Sequence, residues 1–131
     1  MPADVAAAFA AFPEHVRARL LEARDLIFAT AAGMAAVGPL KETLKWGEPA
    51  YLTEASRSGS TIRLGWFRSS ERECAILFSC RTTLVDDFRE RFPNAFPYEK
   101  NRAILLDARE ALPKTPLSVC LGMALTYHRR R

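Results

Sequence analysis

The sequence is poor in the residues from which metal sites and nucleophile sites are usually assembled. Its two histidines, His15 and His128, are far apart and lack the paired spacing of a helical ligand set. The three cysteines, Cys74, Cys80 and Cys120, are odd in number and show no Cys-x-x-Cys spacing. That fits neither a disulfide scaffold nor a zinc site, and it points to a reducing, cytoplasmic compartment. Cys74 and Cys80 share strand parity with Ile76 and Phe78, so both read as small hydrophobes. Gly33, Gly38, Gly59 and Gly65 form no phosphate-loop pattern, and the serines at 56, 58, 60, 69 and 70 sit in no Gly-x-Ser-x-Gly elbow. They read as turn chemistry. No apolar run approaches the roughly 20 residues that a membrane helix needs. Asp4 comes early and no basic segment precedes an apolar one, so the start does not read as a secretory leader.

What is present describes an ordinary folded domain. The chain has 131 residues, 49% hydrophobic and 26% charged, enough to bury a core as a single domain spanning residues 1–131. The net charge of +4 is less informative than it looks, because Arg129, Arg130 and Arg131 supply three of those charges as a basic tail. A nucleic-acid binder would spread lysine and arginine along one face, interleaved with aromatics. No nucleic-acid partner and no membrane partner is expected.

Periodicity divides the chain into a helical and a mainly strand-forming part. A short helix over residues 1–12, with Asp4 as its cap, carries Val5, Ala8, Phe9 and Phe12 at helical spacing. A second helix follows Pro13 to about Gly33, with Val16, Leu20, Ala23, Ile27, Ala31 and Met34 as its buried apolar stripe. Gly38-Pro39 breaks the chain, and one or two helical turns through Leu40 and Leu44 are expected next. From Ala50 the period becomes two. Strands are predicted over 50–53, 61–67 and 74–80, with turns at 54–59 and 69–72. The 74–80 run is apolar on both parities and is expected to be covered on both sides. A helix from Thr83, a strand over 103–106 and a helix started by Thr115-Pro116 complete the order. The expectation is an α+β fold: a small, mostly antiparallel sheet of four to five strands flanked by N-terminal, middle and C-terminal helices.

The corner between the two parts is Lys45-Trp46-Gly47-Glu48-Pro49-Ala50-Tyr51. Trp46 and Tyr51, with Trp66 on the next strand, either line a ligand pocket or wedge helix against sheet. Glu48 is the carboxylate of that corner and a candidate hydrogen-bond acceptor. Arg102, at the head of the last strand, suits an anion or a surface ion pair. The candidate ligand-binding set is therefore Trp46, Glu48, Tyr51, Trp66 and Arg102, with no catalytic residue and no metal ligand named.

The long helix, the Trp46, Gly47, Pro49 and Tyr51 corner, and the Arg102-to-Leu106 strand with its closing helix together resemble the YdhG-like domain family. The resemblance covers roughly residues 14–128. It implies a small helix-flanked antiparallel sheet, and, because some relatives are described as frataxin-like iron chaperones, it implies an iron role. The long helix departs from an acidic iron ridge, since Arg17, Arg19 and Arg24 are interspersed among Glu14, Glu22 and Asp25. No cofactor is evident from the residues themselves. The expected function is a non-enzymatic binding domain for a small molecule. A protein partner, or a homodimer built on a sheet edge or the C-terminal helix, is the other reading.

Overall fold

The computed structural model describes residues 1–67 and 72–129. Arg130 and Arg131 of the basic tail, and Ser69, Ser70 and Glu71 of the expected turn, lie outside the described residues. Two helices open the chain, α1 (Ala3–Ala10) and α2 (Glu14–Ala32). A hairpin follows, β1 (Lys41–Lys45) and β2 (Glu48–Leu52), then β3 (Ile62–Trp66) and β4 (Glu73–Phe78). After α3 (Leu84–Arg91) come β5 (Tyr98–Glu99), β6 (Ala103–Asp107), α4 (Lys114–Leu125) and a closing 3₁₀ turn (Tyr127–Arg129).

The fold is α+β, as expected. The strands form one antiparallel sheet of six in the order β1-β2-β3-β4-β6-β5, so the strand count exceeds the expected four to five. The additional strands are β1 and the two-residue β5. Leu40 to Leu44 was expected to be helical and is not. Trp46-Gly47 instead makes a two-residue turn that pairs Lys45 with Glu48 and Lys41 with Leu52, which commits the segment to β1. Both turn residues have positive φ, 57° and 76°, the pattern of the tight hairpin turn whose twist matches that of the strands it joins. Turn geometry outweighed the helical spacing of two leucines.

Strand parity gives the sheet two unlike faces. One face carries Tyr51, Ile62, Leu64, Ile76, Phe78 and Ile104, all essentially buried, and the helices pack there. Of the predicted α2 stripe, Val16, Leu20, Ala23, Ile27 and Ala31 are buried, whereas Met34 lies past the helix end and is only partly buried. Phe88 of α3 meets Phe78 edge-on at 5.0 Å. Burying a side chain of that size is worth about 2–3 kcal/mol. The opposite face holds a smaller cluster, Ala75, Leu77 and Ala103 with Phe67 and Leu105 against them, and among the described residues no helix contributes to it. The expectation that β4 is covered on both sides holds, since Cys74 to Phe78 are all buried in a strand inside the sheet. Its second face is dry because small residues shelter under larger strand neighbours. Cys74 is buried as expected, whereas Cys80 lies past the end of β4 and is exposed.

Helix starts are less regular than the sequence suggests. Thr115 sits inside the first turn of α4 rather than capping it, and Pro113 precedes the helix. Thr83 does precede α3, but its hydroxyl bonds the Asp87 side chain at 3.0 Å instead of the backbone. Asp4 likewise lies within α1, and no side chain caps that helix.

One polar cluster fastens the hairpin to α2. The Arg24 guanidinium donates to both Glu42 carboxylate oxygens, at 2.5 and 2.9 Å, and the Tyr51 hydroxyl donates to the same carboxylate at 2.9 Å. Arg24 also lies 4.9 Å over the Phe28 ring, which meets Tyr51 edge-on at 5.6 Å. The Glu42 side chain is 7% exposed, so this is a buried charge with its acceptor sites satisfied. Burial alone would raise its carboxyl, but the hydrogen bonds from Arg24 and Tyr51 outweigh that and hold it below the ordinary carboxylate value.

Candidate functional site

With α1, α2 and the Glu42 cluster fixing one side of the hairpin, its turn projects Trp46 away from the core. Trp46 is 90% exposed. Its φ of 57° is a conformation that an L residue of this bulk adopts at a cost of roughly 1–2 kcal/mol, and asparagine or glycine is the usual occupant. Stability alone would not select tryptophan at this position. Gly47 beside it, at φ 76°, is the residue that the turn itself requires.

Trp46 and Lys45 border an open concavity of about 680 Å³. The other walls are residues 59–61 ahead of β3, Arg63 on β3, residues 78–81 after β4, Arg102 before β6, and His128. The segments converge because the β2–β3 loop is fastened to the end of α4. The Ser58 hydroxyl donates to the Leu125 carbonyl at 2.8 Å, the Ser60 N–H donates to the Ala124 carbonyl at 2.9 Å, and the His128 N–H donates to the Ser58 carbonyl at 2.9 Å. The loop thus satisfies carbonyls left unpaired at a helix C-terminus, and Ser58 and Ser60 do more than shape a turn.

The lining has four permanent cations, Lys45, Arg63, Arg81 and Arg102, and no carboxylate. Two of them are compensated from just outside. Arg63 donates to Glu48 at 2.6 Å, and Arg102 donates to Glu99 at 3.1 Å. Among the described residues, neither the Lys45 ammonium nor the Arg81 guanidinium has an ion-pair partner. The Glu48 carboxylate lies over the backbone of Gly65, where any Cβ would collide with it. Burial raises its carboxyl above the ordinary value, and the opposing pull of Arg63 and Arg102 does not cancel the rise.

The expected site residues therefore divide. Trp46 and Arg102 line the concavity, and Glu48 stands behind it, bonded to the lining residue Arg63. Tyr51 does not join them. It is fully buried on the helix-covered face, where desolvation and its bond to Glu42 push the phenol well above its usual value. Trp66 also packs against that core. The reading of Trp46, Tyr51 and Trp66 as one aromatic pocket is corrected for this reason: even and odd positions of a strand emerge on opposite faces. Lys45, Arg63 and Arg81 were missed. Arg63 was legible only as the residue that alternates away from Ile62 and Leu64; its place beside Glu48 needs the Ala50–Arg63 pairing, and Arg81 depends on how the loop after β4 folds back.

Among the described residues, no group of three or more His, Cys, Asp or Glu side chains is placed to hold a metal ion. Among the described residues, no helix is long and apolar enough to cross a membrane. A smaller crevice of about 310 Å³ beside β6 is lined largely by Phe96, Leu105, Leu106 and Leu112. Its Asp107 carboxylate is occupied by Arg72 at 2.7 Å. No protein-family model, curated protein or solved structure matches the chain.

Proposed function

We propose that the chain is a binding domain for a small organic anion, seated in the concavity between the hairpin turn, the β4–α3 loop and the head of β6. The observation that carries this reading is Trp46. A large aromatic is held in water, in a backbone conformation that disfavours it, on the rim of a cavity lined by cations and free of carboxylates. Strained residues persist where the surrounding structure enforces them, and they concentrate at ligand sites. The cavity size lies within the few-hundred to 1,000 Å³ range of small-molecule sites. Arginine forks suit carboxylate or phosphate oxygens, and Thr61 and Ser79 add neutral hydroxyl donors at the wall.

The test is an amide-resolved NMR titration with inorganic pyrophosphate at constant ionic strength. Saturable shifts confined to residues 45–47, 59–61, 79–81 and 102, with the Trp46 indole moving, are expected. Shifts that stay linear, or that follow every surface cation alike, would refute the site.

A further inference from the structure

We infer that the ligand is a phosphate monoester carrying a planar heteroaromatic ring, the chemical class of a nucleoside monophosphate; this rests on the anion-binding reading above. Charge counting points to the phosphate. Glu48 and Glu99 neutralise Arg63 and Arg102, which, among the described residues, leaves Lys45 and Arg81 as two uncompensated positive charges on the wall. A single carboxylate would answer one of them. A phosphate monoester, at about −1.5 to −2 near neutral pH, answers both and offers three strong acceptor oxygens. Arg102 is nearly half exposed even with Glu99 in place, so its guanidinium retains free donors to aim at those oxygens.

Trp46 points to the ring. An exposed indole at a hairpin tip has no packing role in the free protein, and its neighbour Gly47 adds no bulk beside it. A planar heterocycle laid on the indole would remove one face of each ring from water, while the cations of the same concavity hold the phosphate. Stacking of this kind tolerates any base, because every base offers a π-face. The site is therefore expected to distinguish ring from no ring more sharply than one base from another.

Calorimetric titration of the intact chain at fixed ionic strength separates the two parts. The probes are adenosine and uridine monophosphates, ribose 5-phosphate and adenosine. Both nucleoside monophosphates should bind about tenfold or more tighter than ribose 5-phosphate, the gain expected of one stacked base. Trp46→Ala should erase that advantage and leave ribose 5-phosphate nearly unchanged, and Trp46→Phe should restore part of it. Combined Lys45→Gln and Arg81→Gln should weaken all three phosphates together. If the phosphates bind equally and Trp46→Ala changes nothing, the heteroaromatic class is wrong and the anion site stands. If no phosphate probe binds, both readings fall.

Discussion

The β1–β2 hairpin carries a Glu–Arg pair on each of its faces, and the two are built for different purposes. On the helix-covered face, Glu42 is nearly sealed, receives three hydrogen bonds from Arg24 and Tyr51, and has its carboxyl pulled down. On the other face, Glu48 and Arg63 keep 28% and 24% of their side-chain surface and share one bond at 2.6 Å, and the Glu48 carboxyl is pushed up. The first pair is closed and satisfied. The second leaves Arg63 on the wall of a cavity with donors to spare. The difference teaches that a buried ion pair becomes a fastening when every acceptor site is filled, and a site component when it is not.

The largest expected effect comes from breaking the closed pair. Glu42→Gln leaves the mostly buried Arg24 guanidinium with only the more distant Asp25 carboxylate, at 3.9 Å, and it should cost about 3 kcal/mol, read from the urea midpoint at unchanged slope. Tyr51→Phe removes one bond to a charged acceptor and leaves the ring against Phe28. A loss of about 1.5 kcal/mol is expected by the same measurement. Loss of the tyrosine bond without any change in midpoint would show that Arg24 alone fixes the hairpin.

The open pair should respond more weakly. Glu48→Gln is expected to cost no more than about 1 kcal/mol, because the amide oxygen still accepts from Arg63 and burial already disfavours the Glu48 charge. The pH dependences sharpen the contrast, since the two carboxyls are displaced from 4.5 in opposite directions. Glu42, depressed in the folded state, contributes stability that is complete above its unfolded value and is lost as pH falls through the folded one. Glu48, raised, contributes stability that is complete below its unfolded value and is lost as pH rises through the folded one. The advantage of wild type over Glu42→Gln should therefore grow as the pH is raised from acid towards neutral, while its advantage over Glu48→Gln shrinks. Parallel curves for the two variants would erase the distinction between the faces.

Much of the fold was legible because its signals are local and repeated. The α2 stripe, the alternation of Ile62, Leu64 and Trp66, and the parity of Cys74, Ile76 and Phe78 each follow from one period along one element. The site was half legible. Trp46, Glu48 and Arg102 could be named from their chemistry, but assigning Trp46 and Tyr51 to one pocket needed the register, and that depends on recognising Trp46-Gly47 as a turn. A Trp-Gly pair hides this signal, because the first residue of such a turn is ordinarily asparagine or aspartate. Misreading it also turned β1 into helix, which concealed Glu42 as the partner of Arg24. Lys45 and Arg81 were beyond reach for another reason: thirty-five residues separate them, and only the docking of Ser58 and Ser60 on the end of α4 draws the intervening loops into one wall.

The central claim is that Trp46 is kept for a ligand against the interest of the fold. The most direct measurement is the urea-unfolding stability of Trp46→Asn, compared with its pyrophosphate and nucleoside monophosphate binding. Asparagine accepts the left-handed turn position, so the variant should gain about 1 kcal/mol while losing the ring-dependent part of its affinity. A variant that is less stable than wild type would contradict the account, because Trp46 would then be serving the fold rather than a ligand.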